Sequence, residues 1–387
     1  MLEQKFLPFF VPDIGEVEIA AVVETLRSGW LTTGPKTKEF ERRFAEKIGA
    51  KHAIAVNSAT AALHLALDAV GVGRDDEVLV PTMTFAATAE VAIHLGARPV
   101  LVDCEPDLLC VDPARIEAAI TPRTKAIMPV HFAGQPCDMD AILEIAGRHK
   151  LKVIEDAAHA LPTLYKGRLV GTMGDITCFS FYANKTITTG EGGMLVTDDD
   201  ALADRARIMS LHGISRDAWK RFTAEGTWYY EILHAGYKYN LTDVASALGL
   251  VQLDRCQELF ERRAACARRY DELLADLPQI TRPVVRDNVQ HAWHLYFIQL
   301  NLAQLKIDRN QFIDELKARE IGTSVHYTPL HLHPYYRDHF GYQPGQLRVA
   351  ESAYQRIISI PLYPKMTEAD QERVSRALHE IVAEHRR

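Results

Sequence analysis

Cysteine is sparse and unpaired in pattern: six residues, at 104, 110, 137, 178, 256 and 266, with no C-x-x-C pair among them. A chain of 387 residues can bury a large core without covalent staples, so a disulfide framework is not expected. A reducing compartment, the cytoplasm, fits this usage, and Cys104 and Cys178 lie among apolar neighbours as core residues do. No run of about 20 apolar residues occurs, which argues against a membrane span. The N-terminal stretch MLEQKFLPFFVPD has no basic segment ahead of a long apolar run, so no secretory signal is read there. Positive charge is not in excess: 44 Lys and Arg stand against 51 Asp and Glu, and a net charge of −7 argues against nucleic acid as the main partner. Repeats, low-complexity tracts and long charge runs are missing too. No metal site is expected.

What remains is ordinary soluble composition, 47% hydrophobic and 25% charged, with length enough for two subdomains. Residues 13–27 have helical periodicity, with Asp13 as the expected N-cap. The loop SGWLTTGP follows, then a charged amphipathic helix over 37–48. From there apolar β-rich runs alternate with helical stretches: HAIAVN, a helix from Ala59, DEVLVP, a helix near 86–95, RPVLVD, a helix from Pro113, KAIMPV, a helix from Met139, and KVIEDAA. ITCFSFY and GGMLVTD close the series with no full helix between them, as a hairpin with an antiparallel strand would. Such alternation builds crossover units and a mostly parallel sheet, here over about 50–210. Residues 215–240 lack clear periodicity, and 242–279 is a long helical region. The C-terminal part, with helices expected over 308–319, 346–356 and 367–385, reads as a small α+β domain. The expected division is 1–240 for the large domain and 241–387 for the helical connection and the small domain.

In open parallel sheets ligands bind beyond the carboxyl ends of the strands. After HAIAV, the residues Asn57, Ser58, Ala59 and Thr60 open a helix whose free N–H groups and hydroxyls suit a phosphate. Read alone, the same residues are an ordinary N-cap. Phe85 follows DEVLVP, where its ring either covers a flat ligand or packs in the core. Asp156 ends the apolar run LKVIED, as a helix cap or as the partner of a positive group. His159, one turn on, reaches the same place or is a structural histidine. Lys185 stands in SFYANKTITTGEGGM, after Ser180 and before Thr186, Thr188, Thr189 and Glu191. Together these ask for a flat ring with a phosphate, a basic ring nitrogen and an aldehyde. Pyridoxal 5′-phosphate meets those requirements: the carboxylate keeps the ring nitrogen protonated, and the lysine bonds to the aldehyde and later moves the proton.

The segments EDAAHA, FSFYANKTITTGEGGMLVT, GYKYNLTDVASALGLVQL, VHYTPLHLHPYY and IISIPLYPKMTEAD closely resemble the sugar aminotransferases of the DegT/DnrJ/EryC1/StrS family, almost end to end. The resemblance implies a fold-type-I pyridoxal-phosphate enzyme, α/β, with a mostly parallel seven-stranded sheet in the large domain. GYKYNLTD and HGISRDAWKR look most like enzymes that aminate the 4-keto group of a nucleotide-linked sugar, with L-glutamate the family's usual donor. The implied roles are Lys185 on the cofactor aldehyde, Asp156 on the ring nitrogen and Phe85 stacked on the ring. Ser58, Ala59 and Ser180, beside Thr60, are implied at the phosphate and His159 at the ring hydroxyl. A further phosphate contact is implied from the partner subunit of a homodimer. The family's GYNYR is GYKYN here, so Lys238 aligns with the asparagine and Asn240 with the arginine, and either one is left to make the contact. Substrate contacts are implied for Leu31, Thr32, Thr33, Gly34, His326 and Tyr327. Family members that act as dehydratases carry histidine where Lys185 stands, and a regulatory or assembly member without turnover is the other alternative.

Overall fold

The computed structural model describes residues 6–215 and 229–387. Two helices precede the sheet, α1 (Glu16–Ser28) and α2 (Pro35–Ile48). The N-cap of α1 is Gly15, not Asp13: the Glu18 carboxylate reaches back to the Gly15 N–H at 3.0 Å. Asp13 is taken instead by Arg255 at 3.0 Å and Arg262 at 3.2 Å. The start of α2 is held from far along the chain. The buried Asp243 carboxylate accepts from the N–H groups of Gly34, Lys36 and Thr37 at 2.7, 3.0 and 2.9 Å, and from the Thr37 hydroxyl at 2.7 Å. An anion at a helix N-terminus satisfies donors that have no partner within the helix.

Alternation then builds the main sheet as expected. The elements run β1 (His52–Val56), α3 (Ala59–Ala69), β2 (Glu77–Pro81), α4 (Ala87–His94), β3 (Arg98–Val102), α5 (Pro113–Ala118), β4 (Thr124–Ile127), α6 (Met139–His149) and β5 (Lys152–Asp156). Two short strands, β6 (Leu164–Tyr165) and β7 (Arg168–Leu169), come before β8 (Ile176–Ser180), β9 (Gly193–Thr197) and α7 (Asp200–Ser210). The seven-stranded order is β1-β9-β8-β5-β4-β2-β3. Strand β9 is antiparallel to both its neighbours and the other pairings are parallel, so the stretch around Lys185 is the hairpin turn between β8 and β9. A parallel sheet must be covered on both faces. Ile54, Cys178 and Leu195 pack under α3, α4 and α7 on one face. Alternate residues on the other face pack with α5 and α6 and with Phe40 and Phe44 of α2.

The expected long helical region is two helices, α8 (Asp243–Asp254) and α9 (Cys256–Leu273), meeting at Arg255. A second sheet, β10 (Ile280–Thr281), β12 (Tyr296–Leu300) and β13 (Ile357–Ile360), is antiparallel with β12 in the centre, while β11 (Val289–Gln290) pairs with β6. Tyr270 of α9, Phe312 of α10 (Arg309–Ala318) and Leu378 of α13 (Glu368–His385) bury themselves on that sheet. Between these elements, α11 (Pro334–Phe340) and α12 (Arg348–Tyr354) pack back onto the main sheet's core. That return carries His326 and Tyr327 to the strand ends. Among the described residues no helix is long and apolar enough to cross a membrane. All six cysteines are free and buried. The HGISRDAWKR stretch lies outside the described residues beyond Ser215.

Candidate active site

A cavity of about 460 Å³ opens at the carboxyl ends of the central strands. Ten of the expected site residues line it: Ser58, Ala59, Thr60, Phe85, Asp156, His159, Ser180, Lys185, His326 and Tyr327. The first three form the start of α3, where Ser58 Oγ caps the Ala61 N–H at 3.1 Å and the N–H groups of Ala59 and Thr60 have no acceptor within the helix. Glycine lets β9 begin against this turn. A Cβ on Gly193 would stand 2.5 Å from the Ser58 carbonyl and 2.7 Å from the Ala59 nitrogen. Close backbone approach therefore requires glycine in the GEGG turn. Phe85 keeps 62% of its surface exposed, an unusual share for a phenyl ring between two buried elements, and the ring borders the cavity.

Asp156 ends β5 with its carboxylate buried. Thr88 donates its hydroxyl proton to Oδ2 at 2.9 Å, and the Ala158 N–H donates to Oδ1 at 3.1 Å. Burial pushes the carboxyl above its ordinary value, while Ala158, Thr88 and the Lys185 charge pull it down. A cationic ring N–H facing the carboxylate would add the pairing that a buried anion needs.

Lys185 sits in a turn closed by its own N–H on the Tyr182 carbonyl at 2.9 Å. The hydroxyls just beyond it fold the hairpin: Thr188 donates to the Phe181 carbonyl and Thr189 to the Glu191 carbonyl, at 3.1 and 2.7 Å. Burial brings the Lys185 ammonium down to about 7, Asp156 opposes this, and the Arg263 charge adds to it. A lysine in that range is part neutral near pH 7, as an amine that must attack or take a proton needs to be.

His159 accepts the Ala133 N–H at Nδ1, 3.2 Å away, so its proton is on Nε2, which faces the Tyr327 hydroxyl at 3.1 Å. Burial keeps His159 well below the ordinary histidine range, with Lys185 and His326 adding to the effect. His326 is likewise brought to about 4 by burial and by Lys185, and its Nδ1 lies 2.9 Å from Ser359 Oγ. Two neutral histidine rings thus line the cavity, and the His294 ring stands behind His159 with the centroids 4.2 Å apart.

The other expected residues, Leu31, Thr32, Thr33, Gly34, Lys238 and Asn240, are not among those lining this cavity. They form their own cluster beside it. Asn240 Nδ2 donates to Thr33 Oγ1 at 2.7 Å, Thr33 to the Leu241 carbonyl at 2.5 Å, and Lys238 to Asn240 Oδ1. The backbone of this segment runs against the end of β1, where Asn57 N–H meets the Tyr239 carbonyl at 2.8 Å. Sequence reasoning missed Thr88, Arg263 and His294. Thr88 is four residues after Thr84, which lies ahead of α4, and the two hydroxyls are 2.8 Å apart, a T-x-x-x-T spacing that marks a polar edge just past a strand. His294 precedes the apolar run LYFIQL, where a histidine is out of place unless it is partnered.

A family model described as the DegT/DnrJ/EryC1/StrS aminotransferase family matches residues 12–379. The chain is 51% identical over 378 residues to the spore coat polysaccharide biosynthesis protein SpsC of Bacillus subtilis, covering 97% of each. Among solved structures, Spr1654 of Streptococcus pneumoniae in its PMP form superposes with a TM-score of 0.92 at 37% identity, over 98% of this chain and 99% of that one. Spr1654 has been solved in a PLP form as well. PseC of Helicobacter pylori, an aminotransferase involved in the biosynthesis of pseudoaminic acid, matches with a TM-score of 0.91 at 29% identity, over 98% of this chain and all of that one.

Proposed function

The chain belongs to the DegT/DnrJ/EryC1/StrS aminotransferase family, and on that premise we propose that it moves an amino group from L-glutamate to the C4 keto group of a nucleotide-linked deoxy-ketosugar. Its cofactor is pyridoxal 5′-phosphate. The observation that carries the reading is the convergence of Lys185, Asp156 and the start of α3 on one cavity.

Ser58, Ala59, Thr60 and Ser180 would hold the phosphate, the helix start offering N–H groups and a favourable dipole. Phe85 would cover the ring, Asp156 would face its nitrogen, and Lys185 would carry its aldehyde. When bound, the cofactor supplies an electron sink for the pair left behind as a proton leaves the carbon next to nitrogen. Asp156 keeps the ring nitrogen protonated, because a buried carboxylate favours a cationic N–H over a neutral one. Lys185 Nζ takes the α-proton of the donor and returns it on the other side of the transfer. Tyr327 is fixed by His159 Nε2 and orients the sugar side of the cavity together with His326. Product amino sugars of this kind serve surface polysaccharide, glycolipid or secondary-metabolite synthesis.

The protein works as a homodimer with shared sites in this reading. Lys238, Asn240 and the Leu31–Gly34 loop, clustered outside their own cavity, are then offered to the neighbouring subunit's cofactor and substrate. Free buried cysteines favour the cytoplasm. Incubation of the purified protein with L-glutamate and a panel of nucleotide-linked ketosugars, read by mass spectrometry of the sugar, tests the function. Gain of an amino group on a 4-keto member of the panel supports it. Amination only at another carbon, or only of free sugars, overturns the substrate reading.

A further inference from the structure

Arg263 takes no step in the transfer described above, yet its position is unusual. It is 3% exposed, on α9, and among the described residues no carboxylate pairs with it. A buried cation without a counter-ion is costly unless dipoles surround it. Here the dipoles are backbone carbonyls. Nη2 donates to Asn184 at 3.0 Å, and Nη1 lies 3.3 Å from the His294 carbonyl, 3.2 Å from that of Leu362 and 3.5 Å from that of Trp293.

These acceptors are not scattered. Asn184 immediately precedes Lys185. His294 is the residue whose ring meets that lysine, with Nε2 3.4 Å from Lys185 Nζ. Leu362 lies just past the end of β13 in the second sheet. One rigid fork therefore ties the lysine turn, the strand entry that bears His294 and the second sheet together. A lysine in place of the arginine keeps the charge but cannot span these acceptors.

We propose that Arg263 is a positioning residue for amino transfer: its guanidinium sets Lys185 against His294 and places a fixed positive charge behind the amine. The inference rests on Lys185 being the group that moves the proton. The groups facing that amine are Asp156 from β5, His159 after it, His294 before β12, Arg263 from α9, and His326 with Tyr327 from the returning segment. Asp156 stabilises the ammonium form. The Arg263 cation opposes it and keeps the amine ready to accept a proton.

The test reads Lys185 directly in the full-length, cofactor-free protein. Trace acetylation with acetic anhydride across a pH series, with exposed Lys125 as internal reference, gives the midpoint at which Lys185 becomes reactive. Arg263→Met is expected to move that midpoint up by about one pH unit, the size of a nearby like charge. Arg263→Lys is expected to leave it within about half a unit, because the charge remains. In the enzyme loaded with pyridoxal 5′-phosphate, Arg263→Lys is expected to lower the maximal rate of the L-glutamate half-reaction about tenfold, with the half-saturating concentration unchanged, because the fork is lost. An unmoved midpoint in folded Arg263→Met overturns the charge role. A full rate in Arg263→Lys overturns the fork role, and this arm stands even where the methionine variant fails to fold. Failure of the underlying reading looks different: Lys185→Ala then retains turnover.

Discussion

Thr88 donates its hydroxyl proton to Asp156 Oδ2 at 2.9 Å, linking the first turn of α4 to the end of β5 across the floor of the cavity. The bond favours the ionised carboxylate, against the burial that favours the acid. Replacing Thr88 with valine removes a hydrogen bond to a charged group without changing shape. The L-glutamate half-reaction should slow about tenfold, with cofactor binding kept. Asp156→Asn should slow the same step about a thousandfold, since an amide cannot hold the ring nitrogen protonated. Stopped-flow absorbance separates the effects. A normal rate in Asp156→Asn contradicts the assigned role.

The proton-transfer rate should also track the lysine. Lys185 is brought to about 7, so its neutral fraction grows as pH rises through that value. The maximal half-reaction rate is expected to climb between about pH 6 and 8 and then level, with slope near one on a logarithmic scale. A rate that falls over the same interval contradicts a neutral amine as the acting form.

Stability of the cofactor-free protein should depend on pH in a definite direction. His326 is brought to about 4, and burial holds His159 and His294 below the ordinary range as well. Between about pH 6.5 and 4 the unfolded chain binds protons that these folded rings refuse, so stability is lost as pH falls through that window. His326→Asn should flatten the fall in melting temperature over that window relative to the parent. An equal slope in the two proteins contradicts the neutral state assigned to His326.

The shared-site proposal has its own test. Lys185→Ala and the double variant Lys238→Ala, Asn240→Ala are each expected to be inactive. Mixed and allowed to exchange subunits, equal amounts should recover about a quarter of parental activity, since half of the dimers then hold one complete site. Verified mixed dimers that stay inactive, with a normal melting curve for the double variant, contradict the crossing of the 236–243 segment.

Much of this site was legible because parallel strands all end on one side. Ser58, Phe85, Asp156 and Lys185 each stand just past one of the runs HAIAV, DEVLVP, LKVIE and FSFY, and the structure places all four around one cavity. Local capping misled where a distant partner won. Asp13 reads as a cap, yet Arg255 and Arg262 hold it, and Glu18 satisfies Gly15 instead. The cap of α2 could not be read locally at all, since Asp243 stands 209 residues beyond Gly34 in the chain. Arg263 and His294 were invisible for the same reason. Neither lies at an end of the main sheet's strands, and only packing of α9 and the β12 entry against the lysine turn brings them near Lys185.

The most direct measurement is covalent mapping of the cofactor. The protein is loaded with pyridoxal 5′-phosphate, reduced with borohydride, digested and analysed by peptide mass spectrometry. The account predicts the added mass on Lys185 alone, and no fixation in Lys185→Ala, which still binds the cofactor but does not turn over. Fixation on another lysine, or turnover that survives Lys185→Ala, would contradict it.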